Sequence, residues 1–252
     1  MDFQDAIRKI EERGDFNRYA EVKLVFEEQC KRLRKTDHTE RGLCYYYLLV
    51  SYLKAQLVHE TEESKEFYKA MDREFSVQEH IYKNHSQKFS PGEIQDFYHL
   101  MERSYNALEI LYDRHGFRLR RNLAYERKMR FRKNSFFLNK DWGRWLEYKL
   151  LELSCHYGTS LSNWALTTLA ITIIFGLTYF VLDQTWSQDT LNLGGGEHWY
   201  DYFYFSIVVA TTLGLGDIFP TIFISKLLVA FESFVGFLML GVFVGLMQKK
   251  LF

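Results

Sequence analysis

The feature that most constrains this chain is the scarcity of charge in its last hundred residues. Of the 64 Lys, Arg, Asp and Glu side chains in the sequence, residues 153–252 carry only 9, three basic and six acidic. A soluble surface of that length is normally far richer in charge. The sequence therefore predicts that lipid surrounds this part of the chain, although the mean hydropathy of the whole chain, −0.25, is that of an ordinary soluble protein.

Three apolar stretches lie within this region. Trp164–Leu182 is 19 residues long and uncharged, and as a helix it would span about 28 Å, enough for a bilayer core. Ile222–Met247 is 26 residues long and is interrupted only by Lys226 and Glu232. The stretch between them, Tyr202–Gly216, has 15 residues and is too short to cross a bilayer. Two spans and one shorter membrane segment are predicted.

The flanking charges predict the orientation of the spans. Basic residues are dense before the first span, and Lys249 and Lys250 follow the second, whereas the connection Asp183–Asp201 contains no Lys or Arg. The positive-inside rule then predicts a protein of the cell membrane with both ends of the chain on the cytoplasmic side. Because two spans satisfy this orientation and three do not, the middle stretch is predicted to enter the membrane and return on the same face.

The re-entrant stretch has the chemistry of a cation site. A predicted helix over Tyr200–Thr211 leads into Thr212-Leu213-Gly214-Leu215-Gly216-Asp217. Glycine at alternate positions permits a backbone of alternating handedness, so that successive carbonyls point the same way. The negative end of the helix dipole favours a cation, and rings of carbonyls with a Thr hydroxyl can replace the water shell of a potassium ion. One chain supplies one strand of such a ring, so a cyclic homo-oligomer is predicted.

The residues from Tyr202 to Pro220 resemble the pore helix and selectivity filter of two-transmembrane potassium channels of the prokaryotic type. The family's filter, T-V-G-Y-G-D, is matched by Thr212, Leu213, Gly214, Leu215, Gly216 and Asp217. Gly236 lies sixteen residues after Pro220 and resembles the family's gating hinge glycine. This resemblance, which extends over residues 161–252, implies a homotetramer that conducts potassium. The ion would bind the carbonyls of Thr212, Leu213, Gly214 and Leu215 and the Thr212 hydroxyl.

Two departures from the family pattern concern the support of the filter, to which Thr211 and Asp217 also belong. Leu215 stands where the family has a filter Tyr, and Val208 stands where the family often has a Glu bonded to the Asp. Both of those hydrogen bonds are absent, so the filter is predicted to be held by apolar packing. A non-selective cation channel is therefore the alternative to a potassium channel.

Glu232 is a carboxylate inside a predicted span, where burial is costly. In one interpretation it lies near the pore lining and attracts cations. In the other it is bonded behind the filter to a hydroxyl such as that of Ser206 or Thr211, or to the first span. Both interpretations stay open at this stage.

The first 140 residues are predicted to form a cytoplasmic helical bundle. Ser90, Pro91 and Glu93 are typical of a helix start, and that helix should run to about His115 and stop near Gly116. Two segments, 13–20 and 116–132, are similar to the turn and second helix of tetratricopeptide-type hairpins, without a clean 34-residue period. The bundle is therefore described as TPR-like, with an unknown ligand or protein partner as the expected regulator.

The charge pattern and the cysteine content indicate which further ligands and partners to expect. Residues 118–149 combine basic and aromatic side chains next to a span, which favours contact with anionic inner-leaflet lipid over binding of nucleic acid. The three cysteines, Cys30, Cys44 and Cys155, are widely spaced and indicate neither a zinc site nor a disulfide framework, so they are predicted to be buried thiols in a reducing compartment. No catalytic motif occurs, so no enzyme and no cofactor other than permeant potassium are expected.

The sequence thus predicts an all-α membrane protein. Its parts are a TPR-like cytoplasmic domain over 1–140, an interfacial linker helix over 141–160 and a two-transmembrane pore domain over 161–252. Within the pore domain, the first span is predicted at about 161–183, the pore helix and filter at 200–217 and the second span at 221–248. A non-conducting membrane-anchored scaffold or signalling adaptor is the competing functional class.

Overall fold

The computed structural model consists of helices with a single pair of very short strands among the residues that it describes. The predicted all-α class, with an N-terminal helical domain and two long apolar helices after it, is confirmed. The structure describes residues 2–11, 19–55, 61–186, 189–193 and 198–251. It divides into two compact units, Met1–Trp145 and Leu146–Phe252.

The first unit is a bundle of six helices in the described residues. They are α1 (Phe3–Glu11), α2 (Tyr19–Arg32), α3 (His38–Lys54), α4 (Glu62–Asn84), α5 (Pro91–Arg114) and α6 (Arg118–Leu138), with a 3-10 turn at Ser86–Lys88. Consecutive helices pack as α2 on α3, α3 on α4 and α5 on α6. The predicted TPR-like turn at residues 13–18 lies outside the described residues, so the TPR-like class stays a prediction.

Helix α5 shows how local sequence sets these boundaries. The Ser90 hydroxyl accepts the Glu93 backbone N–H at 3.1 Å, and Pro91 occupies the first helical position, as predicted. At the other end, Gly116 has φ +73°, a left-handed conformation that is cheapest for glycine, and there the chain turns into α6.

Aromatic side chains fill the core of this bundle. Phe75, Tyr105 and Phe131 come from α4, α5 and α6, and all three are almost completely buried. The rings of Tyr105 and Phe131 stack with their centroids 5.5 Å apart. The Tyr105 hydroxyl donates to Asp72 at 2.7 Å, so this polar group keeps a partner inside the core.

Three basic residues of α6, within the stretch 118–149 for which lipid contact is predicted, have acidic partners inside the bundle. Arg127 pairs with Asp72, Lys128 with Glu109, and Arg132 with Glu102, all within the bundle. These cations serve to join α6 to α4 and α5, so they are not a free surface for anionic headgroups. The sequence did not show this because the acidic partners lie 19 to 55 positions away along the chain.

Helix α7 (Trp142–Cys155) crosses the division between the two units. Trp142, Leu146, Leu150 and Leu153 on this helix are all more than half exposed. The segment 141–160, predicted as an interfacial linker helix, contains this shorter helix with its exposed apolar side chains, and its interfacial position stays a prediction.

The second unit contains three further helices. They are α8 (Leu161–Thr185), α9 (Trp199–Ala210) and α10 (Phe223–Leu251), with β1 (Leu191–Asn192) pairing antiparallel with β2 (Phe219–Pro220). Helix α9 packs against both α8 and α10. The predicted spans at 161–183 and 221–248 and the predicted pore helix from 200 correspond closely to these three helices.

Candidate functional site

Two helices of the second unit are long and apolar enough to cross a membrane. Leu161–Thr185 and Phe223–Gln248 have 25 and 26 residues, and only 17% of the most apolar window of each is buried in the isolated chain. Exposed leucine, isoleucine and phenylalanine over this length need an apolar surrounding. Trp164 ties the two helices together, because its indole N–H donates to the Met239 carbonyl at 2.8 Å.

The short helix α9 is anchored at its start by acidic side chains. Asp201 accepts the His198 backbone N–H at 3.0 Å, which satisfies a free amide at the helix N-terminus. Asp183, near the end of α8, accepts hydrogen bonds from the Tyr202 hydroxyl at 2.6 Å and from the Thr190 hydroxyl at 2.7 Å. Asp183 thereby fixes the beginning of α9 against α8, a role that the sequence analysis did not assign.

The segment after α9 has a backbone of alternating handedness. Thr212, Gly214 and Gly216 have φ of +58°, +56° and +79°, whereas Leu213 and Leu215 between them are not in the left-handed region. Glycine adopts this conformation without steric cost, but a β-branched residue such as Thr212 does so only under strain. The alternation expected at the two glycines therefore begins two residues earlier, at Thr212.

The filter residues lie on the surface of the single chain. Residues 211–217 are all exposed, with Leu213 65% and Leu215 63% exposed. The predicted apolar packing around the filter is therefore absent within one chain. Val208, by contrast, is buried, and its carbonyl accepts the Leu213 N–H at 3.1 Å, which closes the C-terminal end of α9.

The prediction that no hydrogen bond supports the filter is wrong. The hydroxyl of Tyr204 on α9 donates to Asp217 at 2.7 Å. Tyr204 lies one helical turn before Val208, so a phenol one turn away supplies the partner that Val208 does not provide.

Glu232 lies behind α9, in the second of the two placements considered from sequence. It is completely buried, and its carboxylate accepts the Tyr179 hydroxyl at 2.7 Å and also bonds the Ser206 hydroxyl. These three residues belong to α8, α9 and α10, so one carboxylate joins the three helices. Thr211 is not part of the cluster, because its hydroxyl bonds the Ile207 carbonyl. A buried carboxylate is tolerated only with such partners.

Gly236 lies where α10 approaches the end of α9 most closely. A Cβ built at Gly236 would stand 2.2 Å from the Ala210 carbonyl oxygen and 2.9 Å from its carbonyl carbon. These are backbone atoms, which do not move aside as a flexible side chain does. The close approach gives Gly236 a packing role, in addition to the hinge role implied by the resemblance.

Sequence reasoning missed three residues of this site: Tyr179, Asp183 and Tyr204. Each is a polar side chain within or directly next to an apolar stretch, and that is the available signal, because polar groups there need partners. Their partners are 53, 19 and 13 positions away, and no local pattern specifies them.

One of the comparisons with known proteins found a match. A family model described as ion channel matches residues 167–252, which contain most of α8 and all of α9, the filter segment and α10. Neither the curated proteins nor the solved structures contain a match to the chain. The match supports an ion channel family and a membrane protein that assembles as an oligomer, and it favours a non-enzyme.

Proposed function

We propose that this protein is a potassium channel whose pore is formed by four copies of the chain. The observation that carries the proposal is the alternating backbone at Thr212, Gly214 and Gly216, directly after the C-terminal end of a short membrane helix. Such a strand presents successive carbonyl oxygens to one side, and carbonyl oxygens are the ligands that replace potassium hydration. The helix terminus adds a partial negative charge beside the ion path.

A ring of four copies is proposed because the filter is exposed in one chain. Leu213 and Leu215 are 65% and 63% exposed in the isolated chain, and a symmetric ring would cover them with residues of neighbouring subunits. The chain would be oriented with both termini in the cytoplasm, in keeping with its flanking charges. The interfacial lipid contact is assigned to α7, whose exposed Trp142 and leucines suit headgroup depth.

The N-terminal bundle is proposed as the regulatory part. It is a separate compact unit, and one cavity on its surface has about 480 Å³ and is lined by residues of α1, α3 and α5. A ligand or protein partner bound to this bundle would be the input to the pore.

The selectivity part of the proposal is tested by reversal potentials under bi-ionic conditions, with potassium on one side of a planar bilayer and sodium on the other. The proposal predicts a reversal potential shifted strongly towards the potassium equilibrium value. Equal permeability of the two ions would overturn potassium selectivity and leave a non-selective cation channel, with Leu215 in place of the family's Tyr as the natural cause.

A further inference from the structure

Two cysteines that are distant in sequence meet in the N-terminal bundle. Cys30 lies in the last turn of α2 and Cys44 in the second turn of α3, and residues 33–37 turn the chain back between them. Their thiols are in hydrogen-bonding contact with each other. Their spacing along the chain gives no signal of this contact, which arises from the packing of α2 on α3.

The two thiols differ in accessibility. Cys44 is only 2% exposed, whereas Cys30 is half-buried and lines a cavity of about 470 Å³. Arg41 and Lys35 line the same cavity, so it has basic walls next to the Cys30 sulfur. A small reagent that enters the cavity reaches Cys30 first, with Cys44 behind it.

The surroundings favour the thiolate of Cys30. The hydrogen bond from the Cys44 thiol, with a smaller contribution from the Arg41 guanidinium, lowers the pKa of Cys30 below its ordinary value. The same hydrogen bond, and after it burial, raises the pKa of Cys44. Arg41 is itself held in place by Glu74, whose carboxylate accepts the Arg41 Nε–H at 3.1 Å. A low-pKa, accessible thiol beside a second thiol is the arrangement of a redox-sensing pair.

We propose that Cys30 and Cys44 form a peroxide-sensitive dithiol, in which Cys30 is the attacking residue and Cys44 the resolving residue. The Cys30 thiolate attacks a peroxide oxygen, the O–O bond breaks, and Cys30 becomes a sulfenic acid while hydroxide leaves and takes up a proton. The Cys44 sulfur then attacks the Cys30 sulfur, a disulfide forms and water leaves. Overall, two thiols and one hydrogen peroxide give one disulfide and two waters.

The disulfide would be a reversible covalent link between α2 and α3. A transient disulfide of this kind is compatible with a reducing compartment, where structural disulfides are rare. The site is independent of ion conduction, since it depends only on residues of the first unit.

The test is peroxide oxidation of the full chain in detergent, with the linkage identified by peptide mass spectrometry. The chain itself contains the control, because Cys155 is 1% exposed and its thiol bonds the Leu151 carbonyl. The Cys155→Ser variant should form the Cys30–Cys44 disulfide as the wild type does, and a dithiol reductant should reverse it. In Cys44→Ser the reaction should stop at a sulfenic acid on Cys30, trapped by dimedone. A wild-type protein that reacts with peroxide without forming this linkage, or that is modified equally at Cys155, would overturn the proposal.

Arg41 provides a second, independent readout. Arg41→Gln should slow disulfide formation by roughly threefold to tenfold, because less Cys30 is ionised at neutral pH. Arg41→Lys, which keeps the charge, and Lys35→Gln, which removes another charge from the cavity wall, should stay close to the wild-type rate. Equal slowing by Arg41→Gln and Lys35→Gln would contradict the specific role given to Arg41.

Discussion

At the scale of single residues, a few polar side chains make structural contacts that the apolar sequence around them does not predict. Tyr204 supplies the hydrogen bond to Asp217 that Val208 does not provide, and Glu232 joins three helices through Tyr179 and Ser206. In a membrane such groups have no water to bond when they lose a partner, so each contact constrains the arrangement around the filter.

Tyr204→Phe tests the support of the filter. The ring is kept and only the hydroxyl that bonds Asp217 is lost, so the variant should assemble normally. During sustained opening, its conductance should decline several-fold faster than that of the wild type. Single-channel recordings in planar bilayers measure this rate. Tyr200→Phe is the matched control on the same helix, since no bond from the Tyr200 hydroxyl to the filter segment is seen. Unchanged kinetics in Tyr204→Phe would mean that the bond to Asp217 does not support the filter.

Gly236→Ala tests the close approach of α10 to α9. The added Cβ would overlap the Ala210 carbonyl, so the backbone must shift, and overpacking of this kind costs about 1–3 kcal/mol. Thermal unfolding in detergent should show a destabilised protein. Gly241→Ala and Gly245→Ala are the controls, because nothing lies within 4 Å of either added Cβ and alanine favours helix by about 1 kcal/mol. If all three variants have the same stability, Gly236 acts as a hinge without a packing role.

At the scale of secondary-structure elements, much was predictable and the reasons are physical. Local signals set the ends of α5 through Ser90 and Gly116, and length with hydropathy located α8 and α10. Contacts between residues far apart in sequence could not be predicted. Three basic residues of α6, for example, pair with acidic residues of α4 and α5. The filter strand was partly predictable because glycine marks positive φ, whereas Thr212 carries no such mark.

The aromatic core of the N-terminal bundle predicts a stability that falls at alkaline pH. Burial raises the pKa of Tyr105 well above its ordinary value, with Asp72 adding to the effect, and burial likewise raises the pKa of Tyr46, Tyr68 and Tyr98. Below pH about 10 these phenols keep their protons in both the folded and the unfolded chain, so they cause no pH dependence. Above that pH the unfolded chain loses protons that the folded chain retains, and stability falls with rising pH.

The measurement is the urea midpoint of the full chain, followed by far-ultraviolet circular dichroism between pH 8 and 11, with the midpoint expected to fall above about pH 10. Tyr105→Phe removes one of these groups and should give a shallower decline, whereas Tyr148→Phe on α7 should follow the wild type. A midpoint independent of pH in this range would contradict the burial of these phenols.

At the scale of the whole molecule, the chain has two units that suit different surroundings, water for the first and lipid for the second. The first is a charged bundle in which Arg127, Lys128 and Arg132 of α6 pair with acidic residues of α4 and α5, and the second is an apolar unit that holds the filter segment between two spans. The even balance of 32 basic and 32 acidic residues is thus a sum over parts with different surroundings. The central claim is that the second unit, assembled as a tetramer, conducts potassium.

Potassium flux from liposomes that contain the purified tetramer tests this claim most directly. The account predicts flux well above that of empty vesicles. Gly214→Ala is the matched variant, because Gly214 has φ +56° and a side chain there strains the strand, so flux should be lost while the tetramer is retained. If tetrameric wild-type protein gives no more flux than empty vesicles, the pore does not conduct, and the protein is instead a membrane-anchored scaffold.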